Sequence, residues 1–429
     1  MKKIFNLCKK VIYLKKYFKL HPYVKIVDGV KCSAIYNLFK GEVFSITKKE
    51  FDFLKECEKG IPLEEIQNVD YEFVSDLINN GLGLTYEGNV VINKEIYGVP
   101  KAVSKMFKQV SLDKLFIEIT NKCNLNCKFC KEDNILFRKT GCKKWPSYSQ
   151  SISLDEWEKI ISEAKILGCK NFIIIGGEPF LEYENFKKIV TYIRKDNTEN
   201  TKITVFTNGT LLDNNEIINY IKNNNLNLCI QILENNDTKY EKISEKKGVF
   251  SKIYNALNKI KENDILYSLV LLVSKFNEDN VNQIFEKFKG FNIRLEFIYP
   301  IKNDFYSKKY VNLMYDKSKD FVKPSLCSFE KFSKYNNCYK NVLAVSCDGL
   351  LYPCIMSRKL CLGSIKDFNL CEALINSENE GYPFLCRNKI EGCKTCHKRY
   401  GCLDCRALEM SATEDNVYGM NFCALLKRV

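Results

Sequence analysis

The chain has 429 residues, 45% of them hydrophobic, which is enough for two or three domains with buried cores. Its 66 Lys and Arg against 52 Asp and Glu give a formal charge of +14, but the basic residues do not interleave with aromatic ones, so we expect no nucleic-acid partner. Only two histidines are present, which argues against histidine-rich metal sites and Ser–His–Asp catalysis.

The first 105 residues have the pattern of a small domain of strands and helices. Residues 1–19 contain no apolar run longer than four residues, so we expect a lead-in helix there rather than a secretory signal or a membrane anchor. The elements that follow are two strands around Lys40–Gly41, a helix over 47–60, a short helix over 61–69, a third helix over 70–82 and a hairpin over 83–93. This order predicts a winged-helix domain.

From residue 106 to residue 305, short apolar segments alternate with helical patterns. The predicted strands cover residues 115–120, 171–175, 202–207, 227–233, 267–273 and 294–299. The helix after the first strand begins with Ser153 and Glu156, a capping pair. Apolar strands that alternate with helices predict an α/β fold with a parallel sheet, here a partial or complete (β/α) barrel. Chemistry in such barrels lies at the carboxyl ends of the strands.

The remaining segment, residues 306–429, is rich in cysteine. The chain has 21 cysteines, and twelve of them lie between Cys327 and Cys423. With no secretory signal expected, we place the protein in the reducing cytoplasm, where thiols are available for metal rather than for disulfides. We therefore expect a third, C-terminal domain that is held together by metal.

Three polar motifs follow three consecutive strands of the predicted barrel. The first is CNLNCKFC at residues 123–130, the second is GGEP at residues 176–179, and the third is TNG at residues 207–209. The first motif presents only three closely spaced cysteines, whereas iron–sulfur cubanes and structural zinc usually take four ligands. An unfilled position in a metal site is where chemistry can enter.

The spacing C-x3-C-x2-C, with Phe129 before the last cysteine, resembles the signature of radical S-adenosylmethionine (SAM) enzymes. The resemblance implies that Cys123, Cys127 and Cys130 are catalytic metal ligands. They would hold three irons of a 4Fe–4S cluster and leave the fourth iron for SAM. The cluster and SAM together generate a 5′-deoxyadenosyl radical in that family.

The same resemblance implies the cofactor-binding residues. They are Phe129, Gly176, Gly177, Glu178, Pro179 and Asn208. Both glycines would let the backbone approach the cofactor, and Glu178 would accept from its amino group. Asn208 would reach the ribose or carboxylate, although TNG can also be a plain turn. Gln231 and Glu234, after the fourth strand, are weaker candidates.

The C-terminal cysteines resemble the SPASM extension of peptide-modifying radical SAM enzymes, which binds two auxiliary 4Fe–4S clusters. The matching positions are Cys338, Gly349, Cys354, Cys393, Cys396, Cys402, Cys405 and Cys423. One spacing departs from the family pattern, because two residues rather than three separate Cys402 from Cys405. That departure leaves the role of Cys405 open.

The family's ligation divides these cysteines into two sets. One set is Cys338, Cys354 and Cys405, with Cys327 or Cys347 as the fourth ligand. The other set is Cys393, Cys396, Cys402 and Cys423. The alternative is a zinc ribbon formed by the four cysteines within residues 393–405. Cys361, Cys371 and Cys386 fit neither arrangement.

The N-terminal pattern resembles the leader-peptide recognition element of ribosomal-peptide maturases. Such an element binds an extended peptide by strand addition to a sheet edge, here expected at the strand AIYNL. DNA binding and a purely structural role are the alternatives for this domain.

These resemblances together predict three domains, at residues 1–105, 106–305 and 306–429. They imply a radical SAM/SPASM enzyme that modifies a ribosomally synthesised precursor peptide, with a flavodoxin or ferredoxin as electron donor. A Cys thioether is the favoured product, and a carbon–carbon crosslink is second. An anaerobic sulfatase-maturating enzyme that forms formylglycine, and a non-enzymatic reader, are the other function classes.

Overall fold

The computed structural model describes most of the chain. The described residues are 15–94, 104–105, 107–131, 136, 142–145, 151–195, 200–316 and 321–427. Most of the lead-in helix expected at residues 1–19 lies outside them. In the described part of the chain, no helix has both the length and the apolar composition of a membrane span.

The secondary structure alternates strands and helices through the middle of the chain. The strands are β1 (Lys16–Leu20), β2 (Val24–Val27), β3 (Ser33–Asn37), β4 (Glu42–Ile46), β5 (Gly83–Glu87), β6 (Lys114–Thr120), β7 (Asn171–Gly176), β8 (Lys202–Thr207), β9 (Asn227–Ile232), β10 (Tyr267–Val273), β11 (Ile293–Phe297), β12 (Val342–Val345), β13 (Leu350–Tyr352) and β14 (Gly363–Ser364). The α-helices are α1 (Lys48–Lys59), α2 (Tyr71–Asn79), α3 (Leu154–Ile166), α4 (Tyr183–Arg194), α5 (Asn215–Asn223), α6 (Asp237–Ser244), α7 (Val249–Glu262), α8 (Val281–Lys287), α9 (Val311–Tyr315), α10 (Leu326–Lys334), α11 (Leu370–Asn379), α12 (Arg406–Ala412) and α13 (Ala424–Lys427). Short 3₁₀ turns lie at Leu63–Glu65, Lys128–Lys131, Pro179–Glu182 and Tyr382–Phe384.

The chain divides into two compact units. The N-terminal unit contains residues 1–108 together with 320–334 and 387–403. The barrel unit contains residues 109–319, 335–386 and 404–429. The division into three consecutive domains stays a prediction, and the compact units cut across it because two segments of the predicted C-terminal domain, residues 320–334 and 387–403, group with the N-terminal residues.

In the N-terminal unit, β2, β3 and β4 form one antiparallel sheet with β3 in the centre, and β1 pairs with β5. Two predictions are wrong here. The hairpin over 83–93 does not form, because β5 finds its partner in β1, where a helix was expected. The strand AIYNL has no free edge, because β3 is paired on both sides.

The two faces of β3 contact different neighbours, as the two-residue period of a strand requires. Ile35 faces a core shared with Leu54 of α1 and Leu77 of α2. Tyr36 faces the opposite way, into a cluster with Phe329 of α10 and Tyr400. Residues 387–403 therefore pack on the central sheet of the N-terminal unit.

The barrel unit is built on a nine-stranded sheet of order β11-β10-β9-β8-β7-β6-β12-β13-β14. Strands β6 to β11 run parallel, and they are the six strands that the sequence predicts. In the described chain the two end strands of this order, β11 and β14, do not pair with each other, so the sheet is an open, partial barrel. The helix α3 begins at the predicted capping box of Ser153 and Glu156.

The cysteine-rich part of the chain also contributes to this sheet. Strand β12 runs parallel to β6, with Val342 opposite Lys114 and Val345 opposite Ile117. Strands β13 and β14 continue the sheet in the antiparallel direction. Residues such as Leu343 and Leu351 are buried in the same core as the barrel strands. Apolar packing as well as any metal therefore holds residues 342–364 in place.

We expect Phe18→Ala in β1 to destabilise the N-terminal unit by about 3–5 kcal/mol, because a fully buried aromatic ring is removed. The matched control is Phe39→Ala, since Phe39 is 80% exposed and its loss should change the free energy of unfolding by less than about 0.5 kcal/mol. Denaturant unfolding of the two variants measures both values. Equal effects would mean that residues 16–20 are a solvated lead-in and not part of the core.

Candidate functional site

The three sequence motifs come together because their strands are neighbours. Strands β6, β7 and β8 are adjacent and parallel, and they end at Thr120, Gly176 and Thr207. The loops that follow therefore leave the same edge of the sheet. This edge carries the cysteine motif, GGEP and TNG side by side.

Gly176 and Gly177 allow two of these loops to touch through their backbones. A Cβ atom on Gly177 would lie 2.1 Å from the carbonyl oxygen of Lys122, and one on Gly176 would lie 2.3 Å from that of Thr120. The amide of Gly177 donates to Thr120 O at 3.0 Å, and that of Glu178 donates to Lys122 O at 2.8 Å. The glycines thus position the start of the cysteine loop. The prediction that they make room for cofactor is untested.

The carboxylate of Glu178 joins the ends of β7 and β8. It is fully buried and accepts from the Thr207 hydroxyl at 2.9 Å and from the Asn208 amide at 2.8 Å. The amide of Phe180, next to Pro179, donates to it at 3.2 Å. Burial raises the pKa of Glu178 to about 7, against these hydrogen bonds, which lower it.

Asn208 connects this network to the cysteine loop. Its side-chain oxygen accepts from the Thr210 amide at 3.0 Å and hydroxyl at 2.6 Å. Its side-chain nitrogen donates to Asn124 Oδ1 at 2.9 Å and lies 3.7 Å from Cys123 Sγ. TNG is therefore more than a plain turn, because Asn208 fixes the loop and faces a thiol.

Cys123 has a neighbour outside the motif. The Cys142 thiol, which donates to the carbonyl oxygen of Gly177 at 3.5 Å, lies beside the Cys123 sulfur, and its contact with that sulfur lowers the pKa of Cys123 to about 6, with help from the Leu125 amide and Asn208. Burial raises the pKa of Cys127 and of Cys130. Buried thiols of this kind ionise when a bound cation stabilises the thiolate.

A cavity of about 340 Å³ opens beside the three cysteines, within the range of small-molecule sites. Its lining residues are Cys123, Leu125, Asn126, Cys127, Phe129, Cys130, Lys131, Cys142, Lys144, Asn208, Gln231, Leu233 and Tyr240. Phe129 and Asn208, both predicted to bind cofactor, are among them. The four GGEP residues are not among them, although the backbone of Gly177 and Glu178 contacts the start of the cysteine loop.

Gln231 supplies an unsatisfied polar group in this cavity. Its side-chain oxygen is buried and has no hydrogen-bond partner among the described residues. A buried acceptor without a donor is costly, so a ligand with an O–H or N–H group fits there. Glu234 instead accepts from the side chain of Asn280 and does not line the cavity.

The sequence did not single out Tyr240 or Lys144 as site residues, and it set Cys142 aside. Tyr240 lies on α6, whose amphipathic pattern is that of a core helix. Lys144 and Cys142 lie in a segment without periodicity. No motif marks any of the three, so only the folded geometry brings them to the cavity.

Three thiols beside a cavity of this size can hold a 4Fe–4S cluster with room for a small molecule. Within the described residues, no three His, Cys, Asp or Glu side chains gather closely enough to hold a single metal ion. Sulfurs bound to one zinc ion lie within about 4.6 Å of each other, twice the Zn–S distance. In a cubane each thiolate binds a different iron and the sulfurs stand further apart.

A second group of thiols lies in the barrel unit. The pKa of Cys405 is raised by burial and by the charges of Cys338 and Cys354, so these three sulfurs share one neighbourhood. Cys347 is buried, and its amide donates to Glu118 at 3.2 Å. Cys327 is exposed on α10 in the N-terminal unit. The fourth ligand of this set stays open.

A third group lies in the N-terminal unit. Arg387 Nη1 lies 3.1 Å from Cys393 Sγ, and Nη2 lies 3.5 Å from Cys402 Sγ. Burial is the main cause of the raised pKa of Tyr36, and the nearby Cys396 and Cys402 raise that pKa further. The fourth predicted member of the set, Cys423, belongs to the barrel unit. All these cluster assignments stay predictions.

Comparison with known proteins identifies the domain around the first site. The model of the Radical SAM superfamily matches residues 117–288, which include the cysteine motif, GGEP and TNG. That family uses a 4Fe–4S cluster and SAM. The match covers less than half of the chain.

Two curated relatives extend the similarity. The sporulation killing factor maturation protein SkfB of Bacillus subtilis is 23% identical over 173 residues, 40% of this chain and 38% of SkfB. The cysteine-type anaerobic sulfatase-maturating enzyme of Clostridium novyi is 24% identical over 361 residues, 74% of this chain and 95% of that enzyme. The chain thus spans little more than a third of SkfB but nearly all of the second relative.

A solved structure shows the same fold. "Native anSMEcpe with bound AdoMet" has a TM-score of 0.53 at 21% identity and covers 73% of this chain and 94% of its own. AdoMet is bound in that protein. Together with the three thiols at the end of the first barrel strand, these matches show that the chain contains a radical SAM domain.

Proposed function

We propose that this chain is a radical SAM enzyme that modifies a peptide and that its favoured product is a thioether between a cysteine sulfur and a carbon atom. A carbon–carbon crosslink is the second product class. The observation that carries the enzymatic part is the cavity at the strand ends, which is lined by Cys123, Cys127 and Cys130 together with Asn208 and Gln231.

The proposed roles follow from the contacts. When bound, the cluster and SAM supply a radical that removes a hydrogen atom from the substrate. Cys123, Cys127 and Cys130 hold the cluster, and Asn208 orients Cys123 through its side-chain nitrogen. Phe129 and Tyr240, both buried, exclude water from the cavity. Gln231 accepts a hydrogen bond from the bound cofactor or substrate.

The peptide substrate is supported by the names of the relatives. Both describe maturation of another product of the cell, the sporulation killing factor in one case and a sulfatase in the other. Joining a thiol to a C–H carbon releases two protons and two electrons overall. Abstraction of a hydrogen atom accounts for one electron, so the reaction needs an acceptor for the other. The two C-terminal cysteine sets, as auxiliary 4Fe–4S ligands, supply one.

Formylglycine formation in a sulfatase is the second candidate, and a specific observation favours it. The chain covers 95% of the Clostridium novyi sulfatase-maturating enzyme. The alignment accounts for 74% of this chain. A separate peptide-reading domain suits a precursor-peptide enzyme, and a sulfatase maturase does not need one. A non-enzymatic reader is disfavoured by the radical SAM domain.

We further propose that the N-terminal unit binds the leader of the precursor. Because β3 is paired on both sides, a strand-adding peptide must use the outer edge of β2 or β4. A partly exposed aromatic row lies beside this sheet: the ring centroid of Tyr23 lies 5.2 Å from that of His21, on which it stacks, and 5.5 Å from that of Phe39. Phe39 is the exposed end of the row and the best probe of leader contact.

Deletion of residues 1–100 is not a clean test of leader binding. The deletion would remove β3, on which residues 387–403 and their cysteines pack. A loss of iron would then accompany the loss of peptide binding. Single surface variants separate the two effects.

We expect replacement of Cys123, Cys127 and Cys130 together by Ala to abolish release of 5′-deoxyadenosine from SAM by the reduced, reconstituted protein. The same variant should keep about eight irons with matching sulfide, the content of two cubanes in the C-terminal cysteine sets. Product analysis and iron, sulfide and zinc determination measure both. Continued release would refute the site, and stoichiometric zinc without sulfide would refute the auxiliary clusters.

We expect the protein to convert a cysteine-containing precursor, encoded beside its gene, to a product that has lost two hydrogen atoms and kept its sulfur. Phe39→Ala should raise KM for the full precursor and leave turnover of a leaderless core peptide unchanged, because the leader supplies effective concentration. Mass spectrometry and kinetics measure these effects.

The control for this prediction is Tyr71→Ala, which removes an aromatic ring that is 61% exposed in the same unit but outside the row. An equal rise in KM in both variants would contradict a leader site at Phe39. A product that has lost its sulfur would favour formylglycine formation in place of a thioether.

A further inference from the structure

We propose that Arg387 is a positioning residue for the cysteine set Cys393, Cys396 and Cys402 and that it raises the reduction potential of the cluster held there. The inference rests on the proposed auxiliary clusters and goes beyond them, because it gives this site an electron-accepting character. Arg387 belongs to no motif that the sequence predicts.

The guanidinium of Arg387 contacts two sulfurs at once. Nη1 lies 3.1 Å from Cys393 Sγ, and Nη2 lies 3.5 Å from Cys402 Sγ. A guanidinium carries five N–H donors and no acceptor, so both sulfurs must accept. A thiolate accepts far better than a thiol, so this contact suits sulfurs that are ligands of a metal cluster.

Arg387 also ties together the two ends of the loop that carries these cysteines. Its Nε donates to the carbonyl oxygen of Cys402 at 3.3 Å, and Nη2 donates to that of Leu403. With Nη1 on Cys393, one side chain spans the loop from its first cysteine to its last. The spacing of the two sulfurs is thus fixed by a rigid, planar group.

Burial strengthens the effect of the Arg387 charge on its neighbours. Arg387 is only 5% exposed, and water screens a buried charge poorly. The potential of an iron–sulfur cluster depends on the charge around it and on hydrogen bonds to its sulfurs. Reduction adds a negative charge, which a neighbouring guanidinium stabilises. Arg387 therefore favours the reduced form and makes this cluster the better electron acceptor.

This character suits the proposed reaction. Thioether formation leaves one substrate electron to be removed after hydrogen abstraction. A site biased towards reduction would take that electron. The same segment, residues 387–403, packs on β3 of the N-terminal unit, through the Tyr36 hydroxyl that donates to His397 O at 2.8 Å.

The test is a redox titration of the loaded, full-length protein, followed by electron paramagnetic resonance. We expect Arg387→Gln to lower the midpoint potential of one cluster by at least about 59 mV, a tenfold change in the one-electron equilibrium. The matched control is Arg399→Gln in the same segment. Arg399 Nη1 donates to Cys396 O at 2.8 Å and to Asp28 O at 2.6 Å. The Arg399→Gln substitution therefore removes the same charge as Arg387→Gln, but from a side chain that contacts carbonyl oxygens and not sulfurs.

Iron and sulfide analysis is done first on every variant. Full iron with a shift in Arg387→Gln larger than in Arg399→Gln supports the proposal, and full iron with unchanged potentials overturns it. If Arg387→Gln loses iron, Arg387→Lys decides, because it keeps the charge but not the fork: full iron with a potential close to that of the wild-type protein supports the proposal, and full iron with a potential lowered by about 59 mV or more overturns it, since the charge would then not set the potential. Zinc without sulfide in the wild-type protein would instead overturn the auxiliary clusters themselves.

Discussion

The candidate site depends on one close backbone contact, between Gly176–Gly177 and residues 120–122. The amides of Gly177 and Glu178 donate to carbonyl oxygens at the end of β6, and no side chain fits between the two segments. This contact sets where the cysteine loop leaves the sheet. A Cβ atom at either glycine would push the loop away and displace all three thiols together.

The buried carboxylate of Glu178 links this backbone contact to the end of the next strand, β8. Its acceptance from Thr207 and Asn208 fixes the end of β8, and Asn208 in turn contacts Asn124 and Cys123. Three loops are thereby linked through hydrogen bonds rather than through bulk packing. The resulting rigidity suits a site that must hold a reactive group away from water. The GGEP motif thus supports the cysteine loop through its backbone, and its predicted contact with cofactor stays a prediction.

Local signals predicted much of this structure. The six barrel strands and the capping box at Ser153 were readable, because apolar runs and cap residues act within a few positions of the chain. The pairing of β1 with β5 could not be predicted in this way, because it joins segments more than sixty residues apart and the pattern of residues 1–19 predicts a helix. The grouping of residues 387–403 with the N-terminal unit could not be predicted either, because these segments are also far apart in the sequence. In the site, spacing located the three cysteines and the family resemblance pointed to Asn208, but Tyr240, Cys142 and Arg387 needed the folded chain.

The central claim is that Cys123, Cys127 and Cys130 would hold a 4Fe–4S cluster that leaves one iron for SAM. Pulsed electron–nuclear double resonance on the reduced, loaded protein tests it directly, with SAM carrying ¹⁵N in its amino group. The account predicts a hyperfine coupling between that nitrogen and the cluster, which disappears when Cys123, Cys127 and Cys130 are replaced by Ala. A loaded, reduced cluster that shows no coupling to the labelled nitrogen would contradict it.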